Sequence, residues 1–457
     1  MSQPGISRRF FFYGSLLAGA VPAAGFGKTP SLKAAGFKSP NEKLNIAAIG
    51  AGGKGESDIA GCASENIVAL TDPDSKRAAK TFAAHPNAPT YTDFRRMFDK
   101  ETPHIDAVLV SCPDHMHATA AMWAMERGKH VYCQKPLTRT VWEAQQLTEA
   151  AGKFGVATQM GNQGYSQAGT RECCEIIWNG DIGDVTEVHA WTDRPGHYWP
   201  QGPDVAPKPG DAPATLDWNA WLGDVDPRPY SADYLPIVWR AYPEFGCGAV
   251  GDMACHILGA PTMAMRLTSP TSVECIKLEG KSKYTFPAQT ALRFDFPARG
   301  AMPPVKLFWY DSLKAQPTFP GVPEGESIGD KDINGSLFIG SKGMVTTGCY
   351  GERTRLVPAS KMADYKKPPQ FLPRCPISGN DWVESHYRDW IRAAKGGEPA
   401  CSNFGVSGRF VQWMLLGTIA MRVEGKLEWD AQTGRFTNNN EANALLKPKF
   451  RKGWQFT

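Results

Sequence analysis

Positive and negative charges nearly balance along this sequence. Its formal net charge is only +4 over 457 residues, and no basic block occurs beyond the first few positions. That balance argues against a nucleic-acid partner. No stretch after the N-terminus approaches the length of an apolar membrane span. The 11 cysteines are scattered, with no C-x-x-C pair. No His, Cys and acid cluster shows metal-ligand spacing along the chain, so no metal is expected. No internal repeat or low-complexity tract appears, which excludes a solenoid.

The first residues read as an address. Ser7-Arg8-Arg9-Phe10-Phe11-Phe12 precedes a short apolar run, Gly14 to Ala20, and a small-residue cleavage region near Ala23-Ala24. The pattern looks like a twin-arginine signal, the alternatives being an ordinary secretory signal or an uncleaved anchor. The run is too short to cross a bilayer. A signal over 1–26, a polar linker over 27–42, a periplasmic location and no membrane attachment after cleavage are therefore expected. That route moves proteins already folded in the reducing cytosol, so buried free thiols are expected rather than disulfides.

The length predicts two domains, placed at 43–161 and 162–457. In the first, strands and helices alternate as a parallel sheet requires. Leu44 to Ile49 is a strand, followed by Gly50-Ala51-Gly52-Gly53-Lys54-Gly55, which satisfies G-x-G-x-x-G at Gly50, Gly52 and Gly55. A helix to about Cys62, a strand Ile67 to Leu70 and then Asp72 complete a dinucleotide-binding unit. Asp72 would accept from the adenosine ribose and repel a 2′-phosphate, and Pro73 rather than Arg follows it. NAD is therefore favoured over NADP.

Two later strand ends face the same sheet edge. Ala107 to Ser111 runs into Cys112-Pro113-Asp114-His115-Met116-His117, and His130-Val131-Tyr132 into Cys133-Gln134-Lys135-Pro136. Ser111, Pro113, His117, Gln134, Lys135 and Asn162, with Gly53, join the glycines and Asp72 as cofactor-contact candidates. Helix capping is an even alternative for His115 and a lesser one for His117. Pro136 restricts Lys135 to extended backbone and so aims its side chain. An ammonium at this edge can polarise a hydroxyl and trade a proton with it.

These motifs together resemble the glucose–fructose oxidoreductase / inositol dehydrogenase family, Gfo/Idh/MocA. The resemblance rests on the Rossmann unit, the P-D-H-x-H loop and the K-P turn, with Gln134 standing where the family carries an acid. Phe245 to His256 looks like the family's G-G-x-x-x-D-x-x-x-H segment, with Cys247 in place of its first glycine. By that resemblance Lys135 and His256 are acid/base residues and Asp252 orients the substrate. Asp252 and His256, at i and i+4, would share one helix face. The resemblance also implies an α/β fold, with the Rossmann domain beside an α+β domain built on a large, mostly antiparallel sheet. It further implies a homo-oligomer formed through that sheet.

The second domain fits that expectation, with period-two strands near 185–191, 272–276, 290–296, 305–310 and 336–339. Between the first of these and Asp252 lies an aromatic insertion, 192–243. Its His197, Tyr198, Trp199, Trp239, Arg240 and Tyr242, together with Gln163, are substrate candidates. Rings that stack on C–H faces, interleaved with polar groups, suit a carbohydrate, and aromatics that pin the loop down are the plainer reading of about half of them. Three functions follow. The first is a sugar or glycoside oxidoreductase with tightly held NAD. The alternative is a redox-neutral glycoside hydrolase working through a 3-keto sugar. The third is a sugar binder with a vestigial site, against which the intact Lys135, Asp252 and His256 argue.

Overall fold

The computed structural model describes residues 42–375 and 381–456. The signal, and the linker up to residue 41, lie outside the described residues. No helix among the described residues is long and apolar enough to cross a membrane.

The first sheet comprises β1 (Asn45–Ile49), β2 (Asn66–Thr71), β3 (Thr90–Tyr91), β4 (Ala107–Val110), β5 (His130–Cys133) and β6 (Thr158–Met160). They lie in the order β3-β2-β1-β4-β5-β6, all parallel. This is the doubly wound order, whose ligand crevice opens where the order reverses, between β1 and β4. β4 and β5 are buried throughout, as strands covered on both faces must be. The helix after the Lys135 turn, Val141–Phe154, begins with a reciprocal capping box between Thr140 and Glu143.

The second sheet contains β7 (Val185–Thr192), β8 (Ser272–Glu279), β9 (Gln289–Phe296), β10 (Val305–Tyr310), β11 (Asn334–Gly340), β12 (Met344–Thr347), β13 (Arg355–Val357), β14 (Leu427–Asp430) and β15 (Arg435–Phe436). Their order is β13-β12-β11-β7-β10-β9-β8-β14-β15. Only β7 and β10 pair in parallel; the other neighbours are antiparallel. The fold is therefore α/β with a second, mostly antiparallel sheet.

Two helices from the end of the chain join these units. Helix Phe404–Ala420 is apolar on nearly every side because it is covered on two. Its Gly408 lies against Thr148 of the first unit, and its Trp413 packs edge-on to Phe294 and Phe296 of β9. Helix Trp382–Ala394 returns to the first sheet, where Tyr387, Trp390, Ile391 and Ala394 share a core with Leu44, Ile46, Ala48, Leu109 and Tyr132. The segment after residue 161 thus supplies one layer of the first unit as well as the whole of the second.

The insertion folds over the open edge of the first sheet. Trp199, Trp221, Tyr234, Trp239, Tyr242 and Phe245 form its own apolar cluster. Backbone bonds fasten it down, from Ser75 N to Thr215 O (2.9 Å) and from Asp217 N to Pro73 O (2.8 Å).

Candidate active site

A cavity of about 760 Å³ runs along the sheet edge under this roof. Asp72, Asp74 and Arg77 line one end; Ser111, Pro113, Asp114, Gln134, Lys135 and Arg240 line the other. Gly50, Gly52 and Lys54 lie between them, and Leu216, Trp221 and Trp239 of the insertion and Trp454 of the tail also line it.

The glycine loop is built by close approach. A Cβ on Gly55 would run into the Gly50 carbonyl, and one on Gly50 would meet the backbone of Ser111 and Cys112. Only glycines let β1, β4 and helix Lys54–Gly61 come this near. Asp72 fixes the loop from the side: its Oδ2 accepts from Ala51 N (3.0 Å) and Gly52 N (2.9 Å), and its Oδ1 from Asp74 N (2.9 Å). Burial raises its pKa, while those backbone bonds oppose the rise. Gly53, at φ 61, is the N-cap of the helix and lies under the Arg77 side chain.

An elongated cavity with an acid at one end, a glycine loop and helix N-terminus midway, and a lysine at the other end fits a dinucleotide. Asp72 would hold its ribose and the glycine loop its diphosphate. Replacing Asp72 with Ala should weaken NADH binding by about tenfold or more, since it removes a charge-assisted acceptor and loosens the loop. NADPH should lose less, because the repelling carboxylate goes while Arg77 stays. Fluorescence titration of both nucleotides measures this, and an unchanged preference would assign the discrimination to another residue.

Lys135 lies at the far end, and its peptide bond to Pro136 is cis. Its Nζ donates to Asp252 Oδ1 (2.6 Å) and to the Asp252 carbonyl (2.9 Å). Two guanidinium groups face the same carboxylate: Arg240 Nε is 3.2 Å from Oδ1, and Arg194 Nη1 is 3.7 Å from Oδ2. Burial alone would raise the Asp252 pKa; Lys135, Arg240 and Arg194 outweigh it and hold the carboxyl well below its usual range. Arg194 lies over the Tyr198 ring at 3.4 Å and Arg240 over Trp239 at 4.3 Å, so the insertion delivers both cations.

Asp252 and His256 do not sit on an ordinary α-helix. Val250–Ala254 is a π-helical turn, and α-helical geometry resumes at Cys255–Ile257. Such wide turns are frequent at functional sites. Both residues lie behind Lys135 rather than in the cavity wall. The His256 ring packs edge-on to Tyr350 with centroids 4.8 Å apart. Its Nδ1 has no hydrogen-bond partner among the described residues. Burial, then the Lys135 charge, pushes its pKa well below the usual value, so the imidazole is neutral.

Other candidates have structural places. The nitrogens of His117 lie 2.6 Å from Pro136 O and 2.8 Å from Cys112 O, and burial pushes its pKa down to about 4. These bonds tie the two loops together, and the ring lines the cavity. His115 Nε2 bonds the Trp221 carbonyl at 3.0 Å and anchors the roof. Asn162, fully buried, spans Cys255 O (3.4 Å) and Ser402 Oγ (2.6 Å) as a brace, and Gln163 turns toward Tyr387. Trp199 and Tyr242 are core of the insertion, Trp199 donating to Gln201 (2.9 Å) and Tyr242 packing on Tyr234. His197 stacks on Tyr198 outside the cavity. Trp239 and Arg240 alone of the insertion candidates line it. The described residues do contain one group with metal-ligand spacing, Cys375, Asp389 and Cys401, away from the cavity. Its Asp389 oxygens already accept from Cys401 N and Arg392, and Arg171 donates to Cys375 Sγ.

Asp114 is a member of the site that patterning missed. It reads as a helix start, and in the fold it is the first residue of helix Asp114–Glu126, buried in the cavity wall. Its Oδ1 has no hydrogen-bond partner among the described residues. Burial pushes its pKa up to about 7 against the pull of Arg240 and Lys135. The site therefore gains a negative charge beside Lys135 as pH rises through about 7. Oxidation of a bound alcohol should speed up over that interval, and Asp114→Asn should flatten the profile. Single-turnover rates between about pH 5 and 9 test this. A step near 7 that survives the substitution would place it on another group.

Residues 44–162 match the family model described as oxidoreductase family, NAD-binding Rossmann fold (GFO_IDH_MocA). The chain is similar to levoglucosan dehydrogenase of Pseudarthrobacter phenanthrenivorans, 25% identical over 232 residues, covering 48% of this chain and 50% of that one. It is also similar to 2,7-anhydro-N-acetylneuraminate hydratase of Mediterraneibacter gnavus, 27% identical over 124 residues, or 27% of this chain and 32% of the other. The chain thus spans about half, or less, of the length of the curated relatives it matches. In fold it resembles the WlbA dehydrogenase from Bordetella pertussis, solved with NADH and UDP-GlcNAcA. The TM-score is 0.58 at 16% identity, covering 85% of this chain and 99% of that one.

Proposed function

We propose that this chain, whose residues 44–162 form an NAD-binding Rossmann domain of the Gfo/Idh/MocA oxidoreductase family, oxidises or reduces a hydroxyl-bearing carbon of a sugar or glycoside. The observation that carries the reading is Lys135: one lysine stands at the inner end of the cofactor cavity, tied to Asp252 at 2.6 Å. NAD, when bound, supplies the hydride acceptor. Lys135 exchanges a proton with the substrate hydroxyl at its Nζ. Asp252, held between Lys135 and two arginines, keeps that ammonium in line. Arg240 and Trp239 offer the substrate a donor fork and a ring face. His256, neutral and buried behind Lys135, adds no charge to the site. The names of the similar levoglucosan dehydrogenase and 2,7-anhydro-N-acetylneuraminate hydratase support carbohydrate as the substrate class.

The N-terminal arginine pair supports export by the twin-arginine route to the periplasm, where the cofactor would arrive already bound. Native mass spectrometry of the periplasmic protein should then find nicotinamide nucleotide in the cavity, and a panel of sugars should reduce it. An empty protein with no nicotinamide affinity would sink the reading. The redox-neutral hydrolase is the second reading, favoured by the same export argument, since a trapped cofactor must be restored in place. On the second sheet, His189, Phe308 and Tyr310 form a stacked row with ring centroids 4.8 and 6.0 Å from His189. Phe319 of the same chain packs on that row, with its centroid 4.6 Å from His189, so a homo-oligomer through this sheet rests on the family resemblance alone; a monomeric mass by light scattering would exclude it.

A further inference from the structure

The residue before Lys135 is gripped from beneath. Gln134 is buried, and its Nε2 donates to both oxygens of Asp58, at 2.9 and 3.0 Å. Its Oε1 accepts from Lys135 N at 3.2 Å. Asp58, fully buried in helix Lys54–Gly61, also accepts from Lys54 Nζ, Ser111 Oγ and Tyr387 OH, each at 2.6 Å. One carboxylate thereby gathers the glycine-loop helix, the end of β4, the Lys135 turn and helix Trp382–Ala394.

We propose that Asp58 is the positioning residue for Lys135, acting through the Gln134 amide, and that its charge is why residue 134 is an amide and not an acid. The proposal rests on Lys135 being the proton-transfer group. The amide is used at both ends: its donor side meets Asp58, and its acceptor side holds the backbone of the lysine. A glutamate at 134 has the same shape and no donor. It would set two carboxylates about 3 Å apart in a water-poor interior, where like charges repel strongly. The turn would swing away from Asp58 and carry Lys135 off Asp252. Exchanging the two groups, with Asp58→Asn and Gln134→Glu together, restores one donor facing one carboxylate without changing the size of either side chain.

The test compares four NAD-loaded proteins: the natural chain, D58N, Q134E and the double exchange. Site-resolved acylation of Lys135, read by mass spectrometry against surface lysines as internal standards, reports its surroundings without any substrate. Each single variant should change the Lys135 labelling rate severalfold, and the double exchange should return it toward the natural value. With a sugar that reduces the bound cofactor, the single variants should also lose about ten- to a hundredfold in hydride-transfer rate, and the double exchange should recover most of it. If D58N alone does not fold, judged by its melting curve, Q134E against the double exchange still decides. Equal labelling in all four proteins, or a double exchange no better than Q134E, would overturn the proposal. Because labelling needs no substrate, it separates this outcome from a failure to find any sugar that reduces the cofactor.

Discussion

Lys135→Met is expected to slow reduction of bound NAD by sugar about 10²- to 10⁴-fold, the usual contribution of a positioned acid or base. The thioether fills much of the same space but carries no proton. NADH affinity should change far less, because the lysine stands at one end of the cavity, Asp72 at the other and the glycine loop midway. The variant also leaves Asp252 buried beside Arg240 and Arg194 alone. Two cations remain for one carboxylate, so the fold should survive with a modest loss of melting temperature. Stopped-flow absorbance of NADH in the holo-protein separates the two effects. A variant that still reduces NAD at near the natural rate would remove Lys135 from the chemistry and leave Asp114 as the group to examine.

The second large effect distinguishes a dehydrogenase from a redox-neutral hydrolase. Aryl glycosides offered to the holo-protein without added nucleotide should give either about one event per site or many. A net dehydrogenase stops with NADH formed. A hydrolase oxidises the sugar to a 3-keto species, loses the C2 proton and the C1 substituent, adds water and reduces the ring again. It releases aglycone continuously and, in deuterated water, leaves deuterium at C2. The elimination needs a base besides Lys135. Asp114, with a pKa of about 7 and an oxygen without a hydrogen-bond partner among the described residues, is placed to serve. The hydrolase reading predicts that Asp114→Asn stops aglycone release while NADH still forms; unchanged release would remove Asp114 from that role.

The parts of this molecule that were legible in the sequence are those where local chemistry and fold coincide. The glycine loop, Asp72 and the Lys135 turn occupy ends of parallel strands, and short apolar runs with glycine and proline punctuation mark such ends plainly. The capping box at Thr140 and the left-handed Gly180 that ends helix Ala168–Asn179 are likewise written locally. What escaped depends on distance along the chain. Asp58 reads as an ordinary helix-surface acid until Gln134 and Tyr387 arrive beside it. Trp199 and Tyr242 have a sugar-binding composition, yet an insertion of this size must first build a core of its own. His117 lines the cavity, yet two backbone carbonyls from distant parts of the chain claim its nitrogens. The π-helical turn under Asp252 leaves no mark in the spacing, because i and i+4 remain neighbours in either helix.

Helix Trp382–Ala394 has a consequence for the life of the bound nucleotide. Its Tyr387 shares Asp58 with Gln134 and Lys54, and its Trp390 lies in the core under β1 and β4. The floor beneath the cofactor is therefore laid partly by residues from late in the chain. A ribosome that has released only the first 161 residues has not yet made a nucleotide-binding protein. Capture of NAD is then expected to wait for helix Trp382–Ala394, and a carboxyl-terminal truncation before residue 382 should yield a protein that holds no cofactor, although every residue of the glycine loop is present.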